Sequence, residues 1–217
     1  MQSDFEGLKL PQHFRDIFME MGFVSINSFQ HELIEAIQLR QNLFIVAPNG
    51  SQKTNLSLMV LVQQLVSNLK PGTIQLLVVC TDEQNVRRIS EFLKNLLGDS
   101  GCEIVMLYNS SDANLFNLRK QALAKGPAIV VGSADRILVH LRLGNAMLQK
   151  LDYLVLVDTD RLIDKGCAED LVKLNGFLSG NEQVLLLSSA KRTGIEALIK
   201  HSSSNLPWKE ITQEAVS

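Results

Sequence analysis

The sequence predicts an α/β fold in which a parallel sheet is flanked by helices on both faces. Short apolar, β-branched runs alternate with longer amphipathic stretches along most of the 217 residues. Runs that are apolar at every position are typical of strands buried on both faces, as in a parallel sheet covered by helices. Stretches with apolar residues three and four positions apart are typical of the covering helices.

Six apolar runs predict the strands of this sheet. They are LFIVA (43–47), QLLVVC (75–80), EIVMLY (103–108), AIVVG (128–132), YLVLVD (153–158) and QVLLLS (183–188). Between them, TNLSLMVLVQQLVSNL, EQNVRRISEFLKNLL and NLFNLRKQALA have the periodicity of amphipathic helices. The first 40 residues are helical in pattern and predict an N-terminal extension, followed by one domain over 41–217. HSSSN (201–205) is predicted as a flexible loop.

Composition restricts the classes of function. A net charge of -2 and a pI near 6.1 exclude a global basic field, so any RNA binding depends on a local patch. Cys80, Cys102 and Cys167 lack close Cys/His spacing, which argues against a zinc site or a disulfide framework. No apolar run approaches the roughly 20 residues that span a bilayer. We expect a cytoplasmic protein without membrane contact, with a ribonucleoprotein granule as one setting.

The segment Ala47–Thr54, APNGSQKT, follows the first predicted strand and opens a predicted helix. Ligands of parallel sheets bind at the carboxyl ends of the strands. Backbone N–H groups at a helix N-terminus can bind phosphates, while Lys53 and Thr54 supply the charge and the hydroxyl that a triphosphate and magnesium require. The Gly-x-x-Lys-Thr pattern alone is a weak signal, and a surface turn with a solvated lysine is the alternative.

From Phe5 to Pro207 the sequence resembles the first RecA-like domain of DEAD-box RNA helicases, motif after motif. GFVSINSFQ (22–30) is similar to the Q motif, and APNGSQKT to Ala-x-x-Gly-x-Gly-Lys-Thr. CTDEQ (80–84) replaces Pro-Thr-Arg-Glu-Leu, VVGSADRI (130–137) replaces the Thr-Pro-Gly-Arg motif, VDTDRLIDKG (157–166) replaces the DEAD box, and QVLLLSSA (183–190) replaces the strand ending in Ser-Ala-Thr. The resemblance implies a RecA-like P-loop fold with ATP and magnesium as cofactors.

The resemblance also implies roles for individual residues. Nucleotide binding falls to Phe5, Gln30, Gly50, Ser51, Gln52, Lys53 and Thr54, and magnesium to Thr54 and Asp158. Catalysis falls to Asp158 and Asp160, and coupling of ATP state to RNA to Ser188 and Ser189. RNA contacts fall to Thr81, Ser133 and Arg136, and a structural ion pair is the alternative for Arg136.

Gln52 departs from the family where glycine lets the backbone approach the phosphates. A positive φ at this position is penalised for any other residue. We therefore expect nucleotide binding to be weak or absent, with the Gln52 side chain entering the phosphate site or bending the turn away. We expect Lys53 to turn toward a carboxylate, Asp158 or Asp160.

The sequence VDTD departs from the family at both residues that serve hydrolysis. Val157 replaces the carboxylate that helps to hold magnesium, and valine cannot coordinate a hard cation. Asp158 replaces the glutamate that positions water and is one methylene shorter, in a reaction where a misplacement of roughly 1 Å can cost about 100-fold. The alternative register makes Asp158 the magnesium carboxylate, but the matching residues after it then lose their counterparts.

The predicted RNA surface has gained negative charge. Asp82 replaces an arginine, and Asp135 replaces a glycine at a helix N-terminus. YNSSDANL (108–115) occupies the place of a double-glycine contact. Since affinity for nucleic acid depends on cationic neutralisation of phosphates, we expect weak RNA binding.

These departures give three competing hypotheses. The first is a pseudo-helicase that acts as a scaffold for protein partners in RNA metabolism or small-RNA silencing. Degenerate domains of this kind resemble those joined to Tudor modules in piRNA-pathway proteins, including the Yb type of insect germline tissue. The second is an active ATP-dependent RNA helicase, whose second RecA-like lobe we expect elsewhere in the full-length chain. The third is an ATP-binding switch without hydrolysis.

Overall fold

The computed structural model describes residues 12–20 and 26–213 and contains one seven-stranded parallel sheet in that part of the chain. Its strands are β1 (Asn42–Val46), β2 (Leu76–Cys80), β3 (Ile104–Leu107), β4 (Ile129–Ser133), β5 (Tyr153–Leu156), β6 (Gln183–Ser188) and β7 (Trp208–Thr212). Their order is β3-β4-β2-β5-β6-β1-β7. The structure confirms the predicted α/β RecA-like P-loop fold.

Nine helices of the described residues cover the two faces of the sheet. They are α1 (Gln12–Glu20), α2 (Ser28–Gln38), α3 (Lys53–Ser67), α4 (Glu83–Leu97), α5 (Ala113–Ala124), α6 (Ala134–Arg142), α7 (Thr159–Asp164), α8 (Ala168–Asn175) and α9 (Thr193–Lys200). Successive residues of a strand face opposite sides, so Leu43 and Ile45 join the core cluster of α2, α3 and α4. Phe44 and Val46 join the cluster of α6, α8 and α9.

The six predicted strands are all present, and the one at 183–188 has the predicted bounds. Strand β7 was missed, because WKEIT buries one apolar residue, Ile211, and gives little periodic signal. It pairs in parallel with β1 at the edge of the sheet. The predicted loop at 201–205 is anchored, since the hydroxyls of Ser203 and Ser204 donate to the carboxylate and the carbonyl of Glu182 at 3.1 and 2.6 Å.

Helix α2 belongs to the core although it precedes the sheet in sequence. Leu33, Ile34 and Ile37 are fully buried in the cluster that covers one face. The division at residue 40 stays a prediction, while α2 itself packs against α3 and β1. Within the described ranges, no helix has the length and apolarity to cross a membrane.

Candidate nucleotide and nucleic-acid sites

The loop between β1 and α3 has the predicted strand-turn-helix shape. Gln52 precedes the first helical residue, Lys53, and has φ 62° and ψ 15°, in the left-handed region that favours glycine. Gly50 has φ 87° in the same loop. A left-handed conformation costs a non-glycine residue roughly 1–2 kcal/mol. Gln52 therefore adopts the conformation that is penalised for residues other than glycine, and the chain tolerates its strain.

The side chain of Gln52 does not close the loop. Its Oε1 accepts a hydrogen bond from Asn55 Nδ2 at 3.0 Å, so it is held against the first turn of α3. A pocket of about 350 Å³ remains, lined by residues 49–55 of the loop, by Asn85 and Arg88 of α4, and by Asp158 and Arg161. The Gln52 side chain lines this pocket while bonded to Asn55, and the bending of the turn away from the phosphates stays a prediction.

Lys53 is 5% exposed and points back into its own loop. Its Nζ donates to the carbonyl oxygen of Ala47 at 2.8 Å and to that of Pro48 at 3.4 Å. Of the described carboxylates, none forms an ion pair with it, so the predicted contact with Asp158 or Asp160 is wrong. Burial lowers the pKa of Lys53, and the two aspartates partly oppose this shift.

The residues of VDTD lie at the end of β5 and the start of α7. Val157 is 1% exposed and belongs to the hydrophobic core. Asp158 adopts φ 52° and ψ 54°, another left-handed conformation outside glycine, and its Oδ2 lies 4.0 Å from Arg161 Nη1. The aliphatic side chain of Val157 thus points into the core, and Asp158 is the residue of this pair that lines the nucleotide pocket.

Asp160 connects α7 to the end of β6. It is 4% exposed, and its Oδ2 accepts a hydrogen bond from the hydroxyl of Ser189. Burial alone would raise the pKa of Asp160, but hydrogen bonds from Ser189 and from backbone N–H groups lower it overall. Ser188 is buried and donates to Ala190 O at 2.6 Å. Ser189 is therefore more than the end of a strand, because it contacts the buried carboxylate of the degenerate DEAD box.

The donor set of the pocket fits magnesium poorly, since it offers the Thr54 hydroxyl and one carboxylate. Ca²⁺ and Mg²⁺ sites are built from several oxygens, with one or two carboxylates in a magnesium site. Thr54 and Asp158 both line the pocket, but Val157 contributes no oxygen and Asp158 faces Arg161. Across residues 12–20 and 26–213, no group of three His, Cys, Asp or Glu residues is arranged to hold a metal ion.

Gln30 has a structural role at the start of α2. Its Oε1 accepts from Asn27 N at 3.1 Å, and Asn27 Oδ1 accepts from Gln30 N at 2.9 Å. This capping box follows from the Asn-x-x-Gln spacing, which the comparison with the Q motif overlooked. Phe5, the expected aromatic partner, lies outside the described residues, as do residues 22–25.

Asp82 caps helix α4 and is paired with a cation. Its carboxylate accepts from Asn85 N at 3.0 Å and from the hydroxyl of Thr81 at 2.8 Å, and Lys165 Nζ lies 3.1 Å away. Partial burial would raise the pKa of Asp82, but these hydrogen bonds lower it to about 2. The sequence revealed the change of charge, but it did not reveal that Lys165 offsets it.

Asp135 has a similar environment at the start of α6. Its carboxylate accepts from the Ser133 hydroxyl at 2.6 Å, from Arg136 Nε at 3.0 Å and from Asn109 Nδ2 at 3.3 Å. Partial burial would raise its pKa, but the bonds from Ser133 and Arg136 lower it overall. Of the two interpretations left open for Arg136, the structure contains the ion pair.

A separate groove of about 470 Å³ lies on the side of the sheet where the strands begin, near the amino end of β2. Ile74, Leu123 and Met147 are among its apolar lining residues, and Lys120 and Lys150 lie at its border. The Met147 side chain is 71% exposed. Neither lysine forms an ion pair within the described chain. No pattern in the sequence indicates this groove, since it joins segments that are distant along the chain.

Comparisons with known proteins agree with the fold of the domain. The sequence profile of the DEAD/DEAH box helicase family matches residues 27–196. The ATP-dependent RNA helicase DeaD of Buchnera aphidicola (subsp. Acyrthosiphon pisum) is 28% identical over 207 residues, which are 94% of this chain and 33% of that protein. The ATP-dependent RNA helicase DbpA of Escherichia coli is 27% identical, over 82% of this chain and 38% of that protein.

A solved structure supports the fold independently. The crystal structure of a DEAD box protein from Methanococcus jannaschii superposes with a TM-score of 0.85 at 21% identity, covering 99% of this chain and 57% of that one. The chain spans about a third of the length of the curated relatives it matches. Since the family profile covers most of the sequence, the chain belongs to the DEAD/DEAH box helicase family.

Proposed function

We propose that this RecA-like domain is a pseudo-helicase, which acts by binding partners and does not hydrolyse ATP. The observation that supports the proposal is Val157, an apolar residue in the core at the position where the family resemblance requires a carboxylate. Asp158 follows it in a left-handed conformation, near Arg161. Hydrolysis needs a held metal ion and an oriented water, and misplacement by roughly 1 Å can cost about 100-fold.

The groove near β2 supports the scaffold part of the proposal. Its apolar lining and its two lysines without ion pairs in the described chain fit a peptide segment that carries apolar and acidic side chains. A partner bound there should be lost on Lys120→Glu with Lys150→Glu. Lys125→Glu, just outside the groove, is the control and should leave binding intact. Equal loss from the control would contradict the groove as the docking surface.

The ATP-binding switch is a second candidate, favoured by the open pocket of about 350 Å³ beside the phosphate loop. Active ATP-dependent RNA helicase activity is the third, and it requires that Lys53, Thr54, Asp158 and Asp160 suffice together with a second RecA-like lobe. RNA-stimulated phosphate release by the full-length protein separates the enzyme from the other two. A change in partner affinity on addition of ATP separates the switch from the scaffold.

The setting of the activity is also part of the proposal. We infer a role in RNA metabolism or small-RNA silencing in the cytoplasm, with a second RecA-like lobe in the full-length protein. Membership in the DEAD/DEAH box helicase family supports the link to RNA, and the relationship to Yb-type proteins stays a prediction. The experiment is co-purification of the full-length protein with small RNAs, and a preparation without them would contradict the silencing role.

A further inference from the structure

The nucleotide pocket is lined by more positive than negative charge. Lys53, Arg88 and Arg161 line it together with one carboxylate, Asp158. Three cationic side chains against one carboxylate give the lining a formal charge of +2. The sequence does not indicate Arg88 as a site residue, because it lies on α4 beyond the motif at 80–84, and sequence alone does not show which loop that helix faces.

Two of these cations, Lys53 and Arg88, form no ion pair with any carboxylate of the described residues. Lys53 donates to the backbone oxygens of Ala47 and Pro48, which carry no net charge. Arg88 Nη2 donates to the amide oxygen of Asn85 at 3.2 Å, and no ion pair to it occurs within the described chain. Both can exchange a neutral acceptor for a phosphate oxygen, and bonds between ions are about twice as strong as neutral ones.

We propose that this pocket binds a nucleotide polyphosphate without a divalent cation, with Lys53, Arg88 and Arg161 neutralising the phosphates. The inference rests on the proposed function. Magnesium serves the hydrolysis of ATP, so a domain that does not hydrolyse ATP does not require it. It starts from the mismatch between magnesium and this donor set. The N-terminus of α3 supplies backbone N–H groups to the same anion.

The polyphosphate is the recognised part of the ligand. Gln30, the residue expected to read adenine, does not line the pocket, and its amide oxygen is bound by Asn27 N. The charged residues of the pocket line the same cavity as residues 49–55 of the phosphate loop. We therefore expect inorganic tripolyphosphate to compete with ATP and adenosine to compete poorly.

The test is a titration of the full chain with ATP, once in EDTA and once in excess magnesium. The expected dissociation constant in EDTA is equal to or lower than that in magnesium, because metal-free ATP carries more negative charge. Competition with tripolyphosphate and with adenosine then identifies the recognised group. Binding that requires magnesium, binding of adenosine without tripolyphosphate, or no binding in either buffer would overturn the inference.

Variants of neighbouring arginines separate a specific contact from the net charge. Arg88→Ala should weaken ATP binding in EDTA about tenfold, the loss of one charge-assisted contact. Arg88→Lys should recover part of it. Arg87→Ala removes the same charge from the same helix, but Arg87 pairs with Glu83 and Tyr108 and does not line the pocket, so it should change binding less than about twofold. Equal effects of Arg88→Ala and Arg87→Ala would overturn the role of Arg88.

Phosphate release measured in the magnesium samples, with RNA present, keeps the two proposals apart. Hydrolysis together with tight binding in EDTA overturns the pseudo-helicase and leaves the metal-free site standing. Absence of hydrolysis together with absence of binding in EDTA overturns the metal-free site and leaves the pseudo-helicase standing.

Discussion

Two groups of cations lie at the carboxyl edge of the sheet, and they differ in what holds them. Around the phosphate loop, Lys53 donates to backbone carbonyls and Arg88 to the side-chain amide of Asn85. On the side predicted to bind RNA, Lys165 pairs with Asp82 and Arg136 pairs with Asp135. A cation bound to a neutral acceptor is available to a phosphate, whereas one paired with a carboxylate is already partly neutralised.

The difference shows that anion binding cannot be judged from residue type alone. An arginine or lysine contributes to phosphate affinity through the charge that its neighbours leave uncompensated. The comparison predicts a domain that binds polyphosphate better than RNA. The following substitutions exchange the two environments or remove one of them.

The largest expected effect is a gain of hydrolysis when the carboxylates of the family are restored. Gln52→Gly removes the left-handed backbone strain at position 52 and a side chain that lines the pocket, while Val157→Asp and Asp158→Glu supply the magnesium ligand and the water-positioning group. Assayed with magnesium, RNA and a second helicase lobe, this triple variant should release phosphate about 100-fold faster than Gln52→Gly alone. Val157→Asp places a carboxylate at a fully buried position. Nucleotide and magnesium bind the folded state of the variant, so adding them should raise its melting temperature.

Gln52→Gly alone is the control, because it should raise nucleotide affinity and leave turnover negligible. Ordinary helicase turnover by that single variant would show that Asp158 is the magnesium carboxylate. The register in which Val157 takes that position would then be wrong, and so would the pseudo-helicase proposal.

Asp160 is a buried carboxylate that accepts hydrogen bonds from a hydroxyl and from backbone N–H groups. Ser189→Ala should lower the free energy of unfolding by about 2 kcal/mol at neutral pH, because a hydrogen bond to a charged group is lost. The folded-state pKa of Asp160 is lowered, so its stabilisation is present above the ordinary carboxyl pKa and is lost as pH falls through the folded pKa. Urea unfolding across pH should therefore show the difference between wild type and variant shrinking toward acid.

Ser67→Ala removes an exposed hydroxyl from α3 and is the control, with an expected change below about 0.5 kcal/mol. A Ser189→Ala penalty that does not change with pH would mean that the hydroxyl contributes by packing. The ionised form of Asp160 would then not be the source of the stability.

RNA affinity should rise when the acidic partners are removed from the second group of cations. Asp82→Arg with Asp135→Gly adds one cation and frees Lys165 and Arg136, so affinity for single-stranded RNA should increase about tenfold at low salt. The slope of log affinity against log salt should steepen by about 0.7 for each additional phosphate that the variant neutralises. Loss of the Asp82 cap should cost α4 about 1 kcal/mol, which urea unfolding would measure.

Asp99→Arg with Glu103→Gln is the matched control for this variant. It makes the same change in net charge beyond the far end of α4, away from the carboxyl edge. If both double variants raise RNA affinity equally, the effect comes from global charge, and the local neutralisation by Asp82 and Asp135 is not its cause.

Much of the scaffold could be predicted because burial determines it. The residues of β1, β2, β5 and β6 are apolar on both faces, and that pattern is local in sequence. Strand β7 could not be predicted in the same way, since it lies at the edge of the sheet and has one buried residue. Its place is determined by pairing with β1, which is a tertiary contact.

The chemical identities in the candidate site were predictable, but the partners of its side chains were not. The sequence identified Gln52, Val157 and Asp82 as departures from the family. It could not show that Lys53 donates to Ala47 O or that Lys165 reaches Asp82, because these contacts depend on side-chain directions across loops. For the same reason it did not indicate that Arg88 faces the phosphate loop.

The smallest expected effect tests the two left-handed residues that border the pocket, Gln52 and Asp158. Gln52→Gly relieves roughly 1–2 kcal/mol of backbone strain and loses part of that gain to the more flexible unfolded chain, so stability should rise by about 0.5 kcal/mol. Asp158→Gly should gain less, because aspartate adopts this conformation more readily than glutamine and also attracts Arg161 at 4.0 Å. Asn55→Ala isolates the hydrogen bond to Gln52. Urea unfolding without nucleotide measures all three variants, and a loss of stability in Gln52→Gly would mean that the Gln52–Asn55 bond outweighs the strain.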